Sequence, residues 1–200
     1  MSTSISEPKL KTFNKKIKNK IEKVLHQALK KYTRLFIIRL DYHFPVDIDC
    51  KTDSKVITRY FDSLKAKLNA HEKRKITEGK RVHPNGLEYC WVREVGPKSG
   101  KTHYHVMLIF NKDAFFTLGK FISNEHNLFK MIQSAWQSAL GLNENIEGLV
   151  HCCDFYISYL DKNRIDFHEK YNAWMNHLSY LAKDFSKPYG DGNRVFGCSR

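Results

Sequence analysis

A short connector between two apolar segments most restricts how this chain can fold. Residues 87–95 (LEYCWVREV) and the run that ends at Phe110 (THYHVMLIF) both have the composition of strands, and only GPKSGK (96–101) separates them. A connector this short and rich in Gly, Pro and Ser predicts a β-hairpin. The two strands are therefore expected to be antiparallel neighbours in one sheet.

Hydrophobic periodicity predicts the other elements. Strands are predicted at 34–44 and 148–160, and helices at 9–31, 54–74, 125–140 and 167–183. After the first helix the order is β-α-β-β-α-β, which predicts an α+β fold with a ferredoxin-like or RRM-like core and a central antiparallel sheet. In that plan the hairpin's second strand lies between its partner and the first strand. One sheet face is expected to carry helices, whereas the other can stay open. The tail after the last helix is expected to form a loop that packs back.

The first helix suggests a division of the chain. A length of 200 residues with 42% hydrophobic residues suits one folded domain. We expect a basic helical extension at 1–32 and the main domain at 33–200. Apolar residues of the first helix recur at helical spacing and are predicted to face inward: Ile17, Ile21, Val24, Leu25 and Leu29.

The charge of the chain favours a polyanionic partner. Lys and Arg number 34 against 21 Asp and Glu, a formal charge of +13, and the span 9–31 holds nine lysines and one acid. Such a field attracts nucleic acid, although a merely basic protein would share it. No apolar stretch reaches the ~20 residues of a membrane span, and the first residues do not resemble a secretory signal. Five cysteines without a C-x-x-C spacing fit reduced thiols. We expect a cytoplasmic protein with no membrane partner.

Two histidines near the start of the hairpin's second strand form a candidate metal site. Side chains alternate faces along a strand, so His103 and His105 share a face about 6–7 Å apart. If the hairpin is symmetric, Glu94 lies opposite His103 and on the same face. Two imidazoles and a carboxylate suit a divalent cation with open coordination positions. Asp41 remains an alternative third ligand, and an ordinary sheet surface is the non-functional alternative.

The last helix carries an aromatic residue away from its apolar side. Its predicted buried stripe is Phe167, Tyr171, Trp174, Leu178 and Leu181. Tyr180 falls nearly opposite this stripe, with Lys183 as its neighbour on the same face. This tyrosine is either a solvated side chain or a nucleophile. The same spacing recurs in Tyr159 and Lys162, so Tyr159 is the rival candidate.

The motifs resemble those of a known enzyme class. HYHVMLIF resembles the HUH motif of single-strand endonucleases that initiate rolling-circle replication, with Tyr104 as a polar departure at the bulky position, and YLAK resembles their Tyr-x-x-Lys motif. RLDYHFP, WVREVGPKSGKTHYHVMLIFNKD, AWQSALGL, GLVH, SYLAKDFSK and FGCSR occur in the order seen in the YagK/YfjJ family of prophage proteins. That family is similar to the gene-2-type replication proteins of certain filamentous phages. The resemblance covers about 34–200.

The resemblance implies metal-dependent nicking and joining of single-stranded DNA at a replication origin. Mg²⁺ or Mn²⁺ on His103, His105 and Glu94 would polarise the scissile phosphate. Tyr180, assisted by Lys183, would attack phosphorus and leave a covalent 5′-phosphotyrosine and a free 3′-hydroxyl. Basic residues of the hairpin and the tail are expected to contact DNA: Arg93, Lys98, Lys101, Lys187 and Arg194. A host replication helicase is a further candidate partner.

A non-catalytic function on the same fold is the alternative. A single-stranded nucleic-acid-binding protein could use the sheet as a platform on which Tyr104 or Tyr89 stacks bases. A pure binder has no need of His-x-His beside a glutamate. A structural zinc protein is a minor option that the cysteine spacing does not support.

Overall fold

The computed structural model describes residues 12–97, 99–119, 127–144 and 146–199, with 153–156 described by backbone alone. Within these ranges, a mixed sequence of helices and strands builds an α+β domain. The elements in chain order are α1 (Lys15–Lys31), β1 (Arg34–His43), α2 (Val56–Thr77), β2 (Glu88–Val95), β3 (Thr102–Asn111), α3 (Leu128–Leu140), β4 (Val150–Asp161), α4 (Phe167–Ser179), a single 3₁₀ turn (Tyr180–Ala182) and β5 (Phe196–Cys198).

The strands form one antiparallel sheet in the order β4-β1-β3-β2-β5. The hairpin of β2 and β3 is confirmed, and β3 lies between β1 and β2 as predicted. Glu94 pairs with His103 across the hairpin, which is the register expected from a symmetric connector. On the other side of β3, His103 pairs with His43, and His105 pairs with Asp41.

One face of the sheet is covered by α2 and α3. Apolar residues that recur at helical spacing along α2 are buried: Val56, Tyr60, Phe61, Leu64 and Leu68. Trp136 of α3 is fully buried, and its indole N–H donates a 2.9 Å hydrogen bond to the carbonyl of His43. This bond ties α3 to the end of β1, because a buried indole N–H needs an acceptor.

The second face of the sheet, which could have stayed open in the predicted plan, is also covered over part of its area. The apolar side of α1 and the buried residues of α4 pack on β1, β2 and β3 around Ile37, Cys90 and Met107. The inward residues predicted for α1 are all buried. Asn14 caps this helix by accepting from the backbone N–H of Ile17 at 3.2 Å. Helix α1 therefore packs on the domain, and a division at residue 32 stays a prediction.

The helix predicted at 167–183 ends early. Helix α4 stops at Ser179, and Tyr180–Ala182 form a 3₁₀ turn before Lys183 becomes extended. The helix ends because the backbone here pairs with the segment before α1. The backbone N–H of Asn14 donates a 2.7 Å hydrogen bond to the carbonyl of Ala182, and Phe13 forms a β-bridge with Lys183. A backbone paired in this way cannot continue a helical hydrogen-bond ladder.

The tail contains a strand that the sequence pattern did not predict. Strand β5 (Phe196–Cys198) pairs with β2 at the edge of the sheet. A Cβ on Gly197 would lie 2.6 Å from the indole of Trp91, so a residue with a side chain would collide there. Glycine therefore permits the close approach of β5, although its low β-propensity hides the strand from sequence patterns.

The remaining boundaries agree closely with prediction. Helix α3 begins after Asn127, whose side chain accepts from the backbone N–H of Lys130 at 3.0 Å, and ends at Gly141 in the left-handed conformation. The predicted helical positions 9–11 and 125–126 lie outside the described residues. The prediction that positions 12–14 are also helical is wrong, because α1 begins after its N-cap, Asn14. Within the described ranges, no helix combines the length and the apolar character that crossing a bilayer would require.

The contact between Gly197 and Trp91 leads to a stability prediction. Gly197→Ala places a methyl group against the buried indole, so we expect it to lower the free energy of unfolding by about 1–3 kcal/mol in urea denaturation. Gly96→Ala is the matched control, because its added Cβ would meet chiefly the hydroxyl of the exposed Ser99. Equal stability of the two variants would contradict the close packing of β5.

Candidate metal and nucleophile site

Two histidines and a glutamate converge on the sheet face that carries α1 and α4. The Nε2 atoms of His103 and His105 lie 3.2 Å apart, and Oε2 of Glu94 lies 3.5 Å from Nε2 of His105. One donor atom from each of the three residues lies within 4.8 Å of the others. In the part of the chain that the structure describes, this is the one group of three or more His, Cys, Asp or Glu side chains that meets this spacing.

The spacing of these atoms fits a shared divalent cation. Ligands bound at about 2.0–2.2 Å in tetrahedral or octahedral geometry lie about 3–3.5 Å from one another. The observed separations of 3.2 and 3.5 Å fall in this range. A set of two imidazoles and one carboxylate leaves coordination positions open for a phosphate oxygen and water. The donor set therefore fits a divalent cation, with all three atoms within 4.8 Å of one another.

Asp41 holds His105 from the side opposite the other ligands. Its Oδ1 lies 2.5 Å from Nδ1 of His105, so the carboxylate accepts a hydrogen bond from that ring nitrogen. This contact aims Nε2 at Glu94 and His103. A carboxylate behind a ligating histidine fixes the ring orientation and makes the ligand more basic. Of the two candidates for the third ligand, the geometry favours Glu94, and Asp41 takes the orienting position.

The protonation of the two histidines differs. Burial lowers the pKa of His103, and the positive charge of His105 adds to the effect. Burial opposes a charge on His105 too, but its hydrogen bonds with Asp41 and Glu94 outweigh burial and raise its pKa. A cation at this site would replace the proton that His105 directs toward Glu94, because metal binding requires a neutral imidazole.

Glu94 is the most enclosed of the three ligands, at 2% exposure. Burial raises the pKa of its carboxyl, but the hydrogen bond and charge of His105, with Ser186 and Lys183, bring that pKa down to about 2. Two lysines from the chain after α4 face its oxygens. Lys183 Nζ lies 3.3 Å from Oε2, and Lys187 Nζ lies 3.4 Å from Oε1. The carboxylate is therefore ionised and joins β2 to the tail.

Tyr180 and Lys183 form one unit beside this carboxylate. Residues i and i+3 eclipse each other in a 3₁₀ turn, and Lys183 Nζ lies 3.8 Å from the centre of the Tyr180 ring. The same ammonium contacts Glu94. Tyr180 is 45% exposed, as expected for a residue off the apolar stripe of its helix. The 3₁₀ turn thus brings the predicted nucleophile and its lysine next to the predicted metal ligands.

Tyr159, the rival nucleophile, lies on the opposite face of the sheet. It pairs with Phe36 across β1, and the two rings stack at 5.5 Å between centroids. Its hydroxyl donates a 2.7 Å hydrogen bond to the carbonyl of Phe116. Phe36 belongs to the core under α2 and α3, whereas the histidines face α1 and α4. Tyr159 therefore cannot reach a phosphate held at His103 and His105.

Two of the residues predicted to contact DNA are engaged inside the protein. The ammonium of Lys187 is fully buried and donates to the carbonyls of Leu181 (2.6 Å) and Lys183 (2.5 Å) as well as facing Glu94. Arg93 is 8% exposed and reaches both carboxylate oxygens of Asp191 at 2.7 Å. A phosphate cannot reach the buried ammonium of Lys187, so the predicted DNA contact is wrong for that residue. Arg93 also lines a groove at this end of the sheet, and its DNA contact stays a prediction.

Two of the other predicted DNA contacts line a groove of about 570 Å³, which Arg93 and Tyr104 also line and which His103 and His105 do not. Lys101 and Arg194 are exposed and line it, together with His43, whose ring stacks on His103 at 5.8 Å between centroids. Lys98 lies outside the described residues.

The two tyrosines predicted to stack on bases both pack against other aromatic rings. Tyr104 is 3% exposed and packs among Trp91, Trp136 and Phe44 in the core. The ring of Tyr89 stacks on Phe61 at 3.6 Å between centroids. Both side chains point to the face under α2 and α3. Tyr104 is buried there and cannot stack on a base, whereas the half-buried Tyr89 lines a groove of about 560 Å³, so its stacking role stays a prediction.

Arg39 is a site residue that the sequence pattern missed. It is 4% exposed, and its guanidinium lies 3.1 Å from Nδ1 of His105, 3.4 Å from Oδ1 of Asp41 and 3.4 Å from Nε2 of His177. The available signal was a charged residue inside an apolar strand, two positions before Asp41 and therefore on the same face. Arg39 links the histidine strand to α4 through His177.

Comparison with known proteins agrees with the resemblance seen in the motifs. The YagK/YfjJ C-terminal domain matches residues 6–199. The chain is 41% identical to the Escherichia coli protein YagK over 191 residues, which is 91% of each chain. It is 36% identical to the Escherichia coli protein YfjJ over 195 residues, 92% of this chain and 93% of that one. No solved structure matches the chain. The chain therefore belongs to the YagK/YfjJ family.

Proposed function

We propose that this protein is a metal-dependent enzyme that nicks and rejoins single-stranded DNA, with Tyr180 as the nucleophile. One observation carries the proposal most directly. The ammonium of Lys183 lies 3.3 Å from Oε2 of Glu94 and 3.8 Å from the ring centre of Tyr180, which links an exposed tyrosine to a two-histidine, one-carboxylate cluster. This combination is what a phosphotyrosine mechanism needs: a nucleophile, an adjacent cation and a site for a Lewis acid.

The fold is part of the proposal. The core order β-α-β-β-α-β and the strand order β4-β1-β3-β2 correspond to the ferredoxin-like plan on which HUH endonucleases are built. Strand β5 and helices α1 and α4 would be additions to that plan. In this arrangement the His-x-His strand is central, and the tyrosine follows the last helix.

The reaction would proceed by in-line attack on a backbone phosphate. The Tyr180 phenol loses its proton to solvent, its oxygen bonds to phosphorus, and the bond from phosphorus to the 3′-oxygen breaks. The released 3′-oxygen takes up a proton and becomes a primer end, and the other strand end stays on the tyrosine. Attack by a 3′-hydroxyl reverses these steps and rejoins the strand.

Each residue of the cluster has a distinct task. Free phenols titrate near pH ~10, so the ammonium of Lys183 would stabilise the developing phenolate. His103, His105 and Glu94 would hold Mg²⁺ or Mn²⁺, which when bound polarises the phosphate and neutralises its growing charge. Asp41 would orient His105, as a positioning residue. The exposed Lys101 and Arg194 would contact phosphates along the groove that they line.

A replication origin of a phage or other mobile element is the proposed substrate, and the cytoplasm is the proposed compartment. A free 3′-end beside a protein-bound 5′-end is the starting point for rolling-circle replication. A host replication helicase would be the natural partner, because a primed strand must be unwound to be extended.

Trapping of the covalent product tests the function. Because the downstream fragment stays on the tyrosine, the protein should be incubated with Mn²⁺ and a pool of 3′-labelled single-stranded oligonucleotides. A labelled band that migrates with the protein on a denaturing gel is the expected result. DNA binding without any adduct would favour the non-catalytic binding function instead.

The nucleophile assignment is tested by Tyr180→Phe. Only the oxygen can attack, so we expect this variant to form no adduct, while its unfolding midpoint changes little because the side chain is largely exposed and no cavity is created. Tyr159→Phe is the matched control and should keep the adduct. An adduct that survives in Tyr180→Phe and vanishes in Tyr159→Phe would reverse the assignment.

The orienting role of Asp41 is tested by metal affinity. Asp41→Asn keeps the shape of the side chain but weakens the acceptor behind His105, so we expect Mn²⁺ affinity in calorimetry to fall about 10- to 100-fold.

The double variant His103→Ala, His105→Ala should bind no Mn²⁺ at this site and form no adduct, while keeping its circular dichroism spectrum. If the double variant bound Mn²⁺ with wild-type affinity, the metal site would not lie on this strand.

The basic face of α1 is expected to contact phosphates. Since this helix is part of the core, substitution is a cleaner test than deletion. The double variant Lys16→Gln, Lys18→Gln removes two exposed positive charges. It should weaken the binding of single-stranded DNA of any sequence. The slope of log affinity against log salt concentration should become less steep by about 0.7 for each phosphate contact that is lost. Lys65→Gln with Lys73→Gln on α2, across the sheet, is the control. An unchanged slope in the α1 variant would show that these lysines do not contact DNA.

A further inference from the structure

Two cysteines face each other across the edge of the sheet. Cys90 of β2 pairs directly with Cys198 of β5. The neighbouring backbone bonds join Ser199 N to Tyr89 O and Arg93 N to Val195 O, each at 2.9 Å. Hydrogen-bonded and non-hydrogen-bonded pairs alternate in an antiparallel ladder, so the two cysteines occupy a non-hydrogen-bonded pair. Opposed Cα atoms in such a pair lie about 4.5 Å apart, within the range that a disulfide spans.

Both cysteines are free thiols, and neither is part of a disulfide. Each thiol shifts the pKa of the other. Cys90 is fully buried, whereas Cys198 is partly exposed and lines a groove of about 560 Å³. A small oxidant can therefore reach Cys198 but not Cys90.

The pKa values of the two thiols shift in opposite directions. The hydrogen bond from Cys90, together with the charges of Lys20 and Lys23 on α1, outweighs burial and lowers the pKa of Cys198 to about 6. Burial raises the pKa of Cys90 well above its ordinary value. Cys198 is thus mainly a thiolate at neutral pH, which is the form that reacts with peroxides, and Cys90 is a neighbouring thiol able to resolve the product.

We propose that Cys90 and Cys198 are a redox modification site that forms an intramolecular disulfide when the protein meets a peroxide. The Cys198 thiolate attacks the O–O bond of hydrogen peroxide and becomes a sulfenic acid, and the released hydroxide takes a proton to form water. The Cys90 sulfur then displaces the hydroxyl group of the sulfenic acid, and a second water leaves with the Cys90 proton. Two thiols are oxidised, and one peroxide is reduced to two waters.

The disulfide would fasten the C-terminal strand to the strand that carries Glu94. The tail reaches β2 by the contacts of Lys187 with Glu94 and of Asp191 with Arg93, and its short last strand, Phe196–Cys198, pairs with β2. A covalent bond at Cys198 would close the chain between β2 and β5 and keep the tail in place. This inference does not depend on the proposed DNA chemistry.

Oxidation of the full-length protein tests the site. After treatment with a limited amount of hydrogen peroxide, the mass of the intact protein should fall by the mass of two hydrogen atoms. A tryptic peptide map should show the peptide with Cys90 joined to the peptide with Cys198. The oxidised protein should unfold at a temperature several degrees higher, and dithiothreitol should reverse both changes. Cys152→Ser should behave like the parent protein.

The variant Cys198→Ser should lose both the joined peptides and the thermal shift. Before oxidation, iodoacetamide should label Cys198 several-fold faster than Cys50, whose pKa is raised by burial and by the charge of Asp49. Oxidation of Cys198 to sulfinic or sulfonic acid with Cys90 left free would overturn the proposal. A disulfide from Cys198 to any other cysteine would also overturn it.

Discussion

The pairing of β3 with both of its neighbours determines which side chains meet on the functional face of the sheet. His103 lies between His43 and Glu94, and His105 lies beside Asp41. Side chains alternate faces, so a slip of one residue would send the histidines into the core under α2 and α3. The apolar residues of β3 prevent that slip, because they fill the cores on both faces. The same packing that stabilises the sheet thus assembles the proposed metal site.

Glu94 joins this sheet to the rest of the site. A carboxylate with 2% exposure needs partners, and it finds an imidazole from β3 and two ammonium groups from the chain after α4. Removing one partner from such a group leaves a buried charge uncompensated, which is costly. The charge of Glu94 therefore draws the segment with Lys183 and Lys187 onto the sheet, and Tyr180 comes with it.

The local parts of this arrangement could be predicted from the sequence. The six-residue connector fixed the expected register of Glu94 and His103, because hairpin pairing depends on nearby residues. The apolar stripe of α4 predicted that Tyr180 is exposed. Long-range packing could not be predicted: the burial of Lys187, the ion pair of Arg93 and the strand β5 depend on where the tail returns to β2. Short polar segments carry no periodic signal for such contacts.

Anomalous diffraction from crystals grown with Mn²⁺ tests the central claim most directly, namely that β2 and β3 hold a cation beside Tyr180. The account predicts a peak about 2.0–2.3 Å from Nε2 of His103, Nε2 of His105 and a carboxylate oxygen of Glu94. Asp41 should remain on Nδ1 of His105, away from the ion. A structure with Mn²⁺ bound elsewhere and this cluster still closed by its own hydrogen bonds would contradict the account.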